Sequence, residues 1–426
     1  MIPSNPFPVS DKSIKEELFV GRDNVLSEFE LFLTTQSCTG KNSFWVISGD
    51  RGQGKTSLFD ELIRKALAND KACCAFWNCS QRTNNVETLE YGIYYSVFSQ
   101  KKGTNPLKEY SRLASQLLHN TSWFGFSFNF FSLKLPNYSN FFKHPMDVVQ
   151  ALAKNLKDTI ETLVFVIDEV SFSDSSLQSA KDFAKCISDN KIIIKNKQIN
   201  ILTIVFVKKN HSNFFTPKNG GPRSGRMFEL TDFTVQEIES LVNTGFELAN
   251  NTEQGTVSLI TLDTTKITNL IYRLVGGMPT LTLGLLYDAY NLMEDRATHL
   301  DDKDFYFTDE FVIDAADICT NQLHERLALF RDVVIHGDNV KIETIRQLAT
   351  AISNDSFDCG PWLKEDFVQK CQGIIGKAIK LTDVITPFIA ALTNNGIIYF
   401  KDNKLFFRGE VLKKQLASCN FQLEQK

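Results

Sequence analysis

The stretch Gly49-Asp50-Arg51-Gly52-Gln53-Gly54-Lys55-Thr56 constrains this chain more than any other. It follows the apolar run Ser43-Phe44-Trp45-Val46-Ile47-Ser48 and leads into Ser57-Leu58-Phe59-Asp60-Glu61-Leu62-Ile63. Strand, glycine-rich loop and helix, in that order, are what a phosphate-binding loop requires. The glycines let the backbone curl so that successive N–H groups face a phosphate chain. The helix that starts where the loop ends adds the positive end of its dipole. Lys55 is placed to reach terminal phosphates, and the Thr56 hydroxyl to ligate Mg2+. A loop that merely turned the chain would leave the Lys-Thr pair unexplained. Gly49 to Ser57 therefore read as a nucleoside triphosphate site.

At 426 residues the chain is too long for one ordinary core, so two or three domains are expected. Its 43% hydrophobic and 23% charged residues are those of a globular protein, not a disordered one. The formal net charge of -4 argues against a chain that coats nucleic acid throughout, while leaving room for a local basic patch. No apolar run reaches membrane-spanning length, and the start lacks a signal-peptide core, so no membrane contact and a cytoplasmic location are expected. Nine scattered cysteines without a Cys-x-x-Cys pair argue for reduced thiols rather than structural zinc.

The second chemical signal is Leu163-Val164-Phe165-Val166-Ile167-Asp168-Glu169. An unbroken apolar run ending in two acids reads as a buried parallel strand with its carboxylates at the edge where ligands sit in open α/β sheets. There Asp168 would hold Mg2+, and Glu169 would polarise an attacking water. A helix N-cap accounts for Asp168 alone and leaves Glu169 unexplained. A further buried strand, Ile201 to Val207, ends in Lys208-Lys209-Asn210. The glycine-rich segment from Asn219 to Arg226 reads as a loop.

Between the two nucleotide motifs, Phe124, Phe126, Phe128 and Phe130 alternate at strand period before the phase slips by one. An inserted hairpin near 123–136 is expected, serving either as an interaction ribbon or as an edge pair packed on the core. Farther on, Thr234 and Glu237 form a capping box that starts a helix. Another helix ends at Gly276-Gly277, and Pro279 opens the next. Near the C terminus, Ile397 to Arg408 reads as a hairpin about an Asp402-Asn403 turn, closing a set of helices. A winged-helix-like end follows, with Lys401, Lys404 and Arg408 available for DNA phosphates, although acids nearly balance bases there.

Taken in order, these motifs resemble those of AAA+-related STAND P-loop ATPases, close to the archaeal and bacterial ATPases related to origin-recognition proteins. Phe19-Val20-Gly21-Arg22, one helix upstream of the loop, is similar to the segment that packs on adenine in that family, which assigns Val20, Gly21 and Arg22 to the base. The resemblance assigns γ-phosphate sensing to Asn210 or Lys208. It also assigns Arg226 to a neighbour's phosphates, and Pro279, in Gly277-Met278-Pro279, to the nucleotide. Arg273 precedes the glycines and is misplaced for the second sensor arginine of replicative initiators.

The implied fold class is α/β. A parallel-sheet P-loop NTPase core (ASCE/AAA+-like, 1–229) is followed by a helical lid (230–300) and a winged-helix-like domain (301–426). The implied function is an ATP- and Mg2+-dependent switch that hydrolyses ATP and changes assembly or partner binding. Self-association or a separate effector or sensor protein would serve as partner. The alternative is a DNA-binding AAA+ ATPase of the replication-initiator or transposition-regulator type, acting through the C-terminal domain.

Overall fold

The structure is a computed structural model and describes residues 5–8, 16–34, 42–79, 145–146, 149, 159–170, 174–189, 193–194, 197–222, 225–251, 258–261, 263–297, 304–326, 332–335, 342–354, 357–376 and 381–423. The aromatic hairpin expected near 123–136 lies outside them. The chain divides into two compact units. The core unit comprises Arg22–Asp50 and Gly54–Thr231, and the C-terminal unit Met1–Gly21, Arg51–Gln53 and Asp232–Lys426. Among the described residues, no helix is long and apolar enough to cross a membrane.

The core unit is built on a parallel sheet of β1 (Asn42–Ser48), β2 (Ala72–Asn78), β3 (Thr162–Asp168), β4 (Asn200–Val207) and β5 (Gly225–Glu229), in the spatial order β2-β3-β4-β1-β5. Every residue of β3 and β4 is buried, as expected for strands covered on both faces. Period 2 sorts their side chains between those faces. Phe44, Ala75, Phe165, Ile201 and Val205 point one way, with Leu177, Ala180, Phe183, Ala184 and Ile187 of α3 (Asp174–Asp189), which recur at helical spacing. The Phe165 and Phe183 rings meet edge to face at 5.1 Å. Phe76 and Phe206 point the other way and meet Phe59 of α2 (Lys55–Ala68) at 6.1 and 5.9 Å. α1 (Asp23–Thr34) adds Phe29, which packs on Trp45.

Register levels the carboxyl ends of the strands. Ser48 lies opposite Val207 on one side and Glu229 on the other, and Asp168 lies opposite Asn78. The strand bearing the acids and the strand bearing the glycine loop are thus separated by β4 alone. β5 corrects the loop expected over 219–226, because the strand begins at Gly225. A Cβ at Gly225 would come within 3.1 Å of the Phe44 ring, so this glycine serves close strand packing and not a turn.

In the C-terminal unit, α4 (Val235–Asn250) starts at the expected capping box: the Thr234 amide donates to Glu237 Oε2 at 2.7 Å, and the Glu237 amide to Thr234 Oγ1 at 3.2 Å. α5 (Thr264–Val275) ends at left-handed Gly276, and α6 (Pro279–Ala297) begins on its proline. The N-terminal segment belongs to this unit: Phe7 is buried against Phe246 and Tyr290, and Leu18 is fully buried. β6 (Ser258–Thr261) and β7 (Asp304–Phe307) pair in parallel, followed by α7 (Asp309–Arg326) and β8 (Asp332–Ile335).

Next come α8 (Ile342–Ser353), β9 (Trp362–Leu363), α9 (Lys364–Ile375), α10 (Leu381–Asn394) and the hairpin β10 (Ile398–Lys401) and β11 (Lys404–Phe407). The three strands form an antiparallel sheet in the order β9-β11-β10. Asp402 and Asn403 both take positive φ, 50° and 60°, as a two-residue hairpin turn demands. α11 (Glu410–Gln415) and β12 (Asn420–Leu423) complete the unit, β12 pairing with β8.

Candidate functional site

The loop after β1 is fixed at its root. The Gly49 amide donates to Val207 O at 3.2 Å, and the Leu230 amide to Ser48 O at 2.7 Å. Gly52 and Gly54 take φ of 83° and 78°, a left-handed conformation that side chains disfavour. Gly54 is also the N-cap of α2, and no side chain caps that end. The first amides of α2, those of Lys55, Thr56 and Ser57, carry the positive end of the helix dipole and suit an anion. Lys55 Nζ donates to the carbonyls of Gly49 and Asp50, each at 2.8 Å. Burial lowers the Lys55 pKa, opposed by the carboxylates of Asp168, Glu169 and Asp50, while Lys208 lowers it further.

At the tip of β3, Asp168 is 1% exposed. Burial raises its pKa to about 7, and the neighbouring Glu169 charge adds to this, against the Glu169 amide and Lys55. Asp168 Oδ1 accepts from the Glu169 amide at 2.8 Å, whereas Oδ2 is buried without a hydrogen-bond partner. A buried carboxylate oxygen without a hydrogen-bond partner and the hydroxyl of Thr56, in the first turn of α2, are both hard oxygen donors of the kind that suits Mg2+. Glu169 itself is exposed and takes φ of 54°, an uncommon conformation for a non-glycine residue.

Asp50, Asp168, Glu169 and Lys208 are therefore all brought into electrostatic range of Lys55 within the core unit. Asn210 is exposed in the 3-10 turn Lys209–Phe215. Lys209 pairs with Glu229 at 2.5 Å. Arg226 is exposed on β5 opposite Trp45 and pairs with Glu28. Arg22 takes φ of 69°, and its guanidinium donates to Thr231 O at 2.8 Å.

The remaining candidates belong to the C-terminal unit. Gly21, φ 72°, lies against the Glu237 carboxylate, where a side chain has no room. Val20 packs on that unit's core. The loop tip, Arg51 to Gln53, also counts with this unit: Gly52 O accepts from the Thr280 amide at 3.2 Å and from Thr280 Oγ1 at 3.1 Å, one residue after Pro279.

Two residues that sequence reasoning did not assign to the site are Asp232 and Arg408. Gln53 Nε2 donates to Asp232 Oδ1 at 3.1 Å, and Arg408 Nε pairs with Asp232 Oδ2 at 2.8 Å. Arg408, expected on DNA phosphates, is 4% exposed and so is withdrawn from solvent. The one signal available was an arginine directly after the apolar run Leu405-Phe406-Phe407. Arg273, outside the expected sensor position, pairs with Glu410 at 3.4 Å.

No protein-family model matches the chain, and no curated protein matches it either. Among solved structures, the ORC2 protein of Aeropyrum pernix in its ADPNP–ADP complexes superposes with a TM-score of 0.55 at 16% identity, over 98% of this chain and 94% of that one. A Walker-type ATPase of Pyrococcus abyssi superposes with a TM-score of 0.53 at 12% identity, over 95% of this chain and 97% of that one. The chain has the fold of the AAA+ P-loop ATPases related to origin-recognition proteins.

Proposed function

We propose that this chain is an ATP-binding and ATP-hydrolysing molecular switch of the STAND/AAA+ type, whose nucleotide state controls assembly or partner binding. The observation that carries the reading is the cluster of Lys55, Asp168 and Glu169 beside the uncapped start of α2, with one Asp168 oxygen buried and unpaired. In this reading Gly49 to Ser57 form the phosphate cradle, the amides after Gly49 facing the phosphates while that of Gly49 anchors the loop, and Lys55 exchanges its loop carbonyls for terminal phosphate oxygens. Thr56 and Asp168 hold Mg2+, which when bound neutralises phosphate charge. Glu169 orients the attacking water and accepts its proton. Val20, Gly21 and Arg22 take the base, Pro279 approaches the nucleotide, and Asn210 or Lys208 senses the γ-phosphate. Arg226, exposed on an edge strand, would exchange its Glu28 partner for the phosphates of a second copy. The C-terminal unit would divide near residue 300 into lid and winged-helix-like parts.

The test is binding of an ATP analogue and oligomer size for the natural chain, Lys55→Ala and Glu169→Gln. Lys55→Ala should lose binding, and Glu169→Gln should bind without turnover. If size and partner capture ignore nucleotide in all three, the switch reading fails.

A second reading, a DNA-binding ATPase, draws on the exposed Lys401, Asp402, Asn403 and Lys404 at the hairpin tip, beside the 41% exposed Phe400. Duplex binding that weakens steeply with salt and is lost in Lys401→Ala/Lys404→Ala would favour it.

A further inference from the structure

Arg408 leaves the C-terminal hairpin at the end of β11 and is buried, a costly place for a guanidinium unless it is paired. Its partner is Asp232, whose side chain is 18% exposed. The other oxygen of that carboxylate holds Gln53, which is 4% exposed in the phosphate loop. One carboxylate thus joins the hairpin to the loop, and all three side chains lie in one unit.

A second connection, free of charged groups, runs alongside. A Cβ at Gly276 would come within 2.7 Å of the Arg408 carbonyl carbon, and one at Gly409 within 2.5 Å of Leu274 O. The hairpin exit and the Gly276-Gly277 turn are therefore in backbone contact. From that turn the Phe233 amide donates to Gly277 O at 2.7 Å, directly after Asp232. Met278 Sδ lies 2.9 Å from where a Cβ of Gly52 would be, and Thr280 donates twice to Gly52 O. Gly52 and Gln53 at the loop tip are thus each held by a segment in contact with Arg408.

We propose that Arg408 is a positioning residue for the phosphate loop: through Asp232 it fixes Gln53, so that the seating of the C-terminal hairpin sets how well the loop binds nucleotide. The proposal rests on the nucleotide-site reading above. A ligand that lifts the hairpin would release Asp232 and loosen the loop, and nucleotide would in turn tighten the hairpin, because coupling between two sites is reciprocal.

The test measures Mg2+-ATPγS affinity by calorimetry for the full chain and for Asp232→Asn, Gln53→Ala, Arg408→Gln, Arg408→Lys and the double variant Gln53→Ala/Arg408→Gln. Ile352→Val, a core substitution in the same unit, serves as the stability control. Asp232→Asn and Arg408→Gln should each weaken binding at least tenfold, Ile352→Val should not, and the double variant should bind no more weakly than the worse of its two single variants. Wild-type affinity in folded Asp232→Asn and Arg408→Gln, or additive losses in the double variant, would overturn the proposal. Should Arg408→Gln fail to fold, Arg408→Lys, which keeps the charge without the fork, carries the same comparison. Amide exchange of residues 49–56 in the nucleotide-free protein separates the two readings. If the natural chain binds no nucleotide, the function proposed above fails. The positioning role then stands only if exchange there is faster in Asp232→Asn than in the natural chain, and falls if it is unchanged.

Discussion

The backbone amide of Glu169 donates to Oδ1 of its neighbour Asp168 at 2.8 Å, and the residue making that bond is in the left-handed region at φ 54°. The two carboxylates at the end of β3 are thereby separated in role. One is buried and held from behind by the backbone, and the other is turned out toward solvent.

The acid held near pH 7 makes stability pH-dependent. Asp168 titrates at about 7 in the folded chain against 3.8 as an ordinary aspartate, so between those values the folded state holds a proton that the unfolded state has lost. Stability from this group is therefore present at low pH and is lost as pH rises through about 7. Nucleotide-free protein should melt lower at pH 8 than Asp168→Asn does, relative to each at pH 5. Equal pH slopes in the two proteins would count against the shift. In the proposed role of Asp168 as a Mg2+ ligand the ion would compete with that proton, so Mg2+ affinity should rise over the same interval and then level off.

The backbone of Glu169 carries a conformational cost that a glycine would not. A left-handed L-residue costs roughly 1–2 kcal/mol, part of which is returned as unfolded-state entropy when glycine is introduced. Glu169→Gly should raise the urea midpoint by the equivalent of about 1 kcal/mol while abolishing turnover. A lower midpoint would mean that the residue is not strained.

Phe7 and Gly245 form a matched pair. A Cβ at Gly245 would lie 2.5 Å from two ring carbons of Phe7, so the glycine in α4 exists to admit the ring. Gly245→Ala should destabilise by about 1–3 kcal/mol through overpacking, and Phe7→Ala by about 3–5 kcal/mol through the cavity left. In a denaturation cycle the double variant should be more stable than the sum of the two losses. Strict additivity would show that the two do not share a socket.

Thr234→Ala removes one half of the box that starts α4, and should cost about 1 kcal/mol. Calorimetric unfolding reads this directly. Because Gly21 lies flush against the Glu237 carboxylate, amide exchange should also rise around residue 21, and exchange confined to α4 would argue against that link.

The parts that could be read from sequence are those encoded locally. The run into Gly49, the glycines before Lys55, the apolar strand ending at Asp168, the Thr234–Glu237 box and the Asp402-Asn403 turn each carry their structure within a few residues. What escaped depends on partners far along the chain. Gly225 looks like a loop glycine until Phe44 is set opposite it. The N-terminal prolines indicate an extended lead-in, yet Phe7 is buried through the distant Gly245, Phe246 and Tyr290. Arg408 reads as a surface base in a basic hairpin, and its burial follows from an aspartate far earlier in sequence. Charge periodicity cannot reveal a single ion pair of such separation.

The division of the chain leaves the phosphate loop in an unusual position: its root and its helix count with one unit, and Arg51 to Gln53 with the other. Dissection of the protein is therefore not free. A fragment ending at Thr231 would keep every residue of the loop and lose Thr280, Asp232 and Met278, the groups that hold its tip. Such a fragment should retain the sheet yet bind nucleotide poorly, and an isolated "ATPase domain" would understate what the whole chain can do.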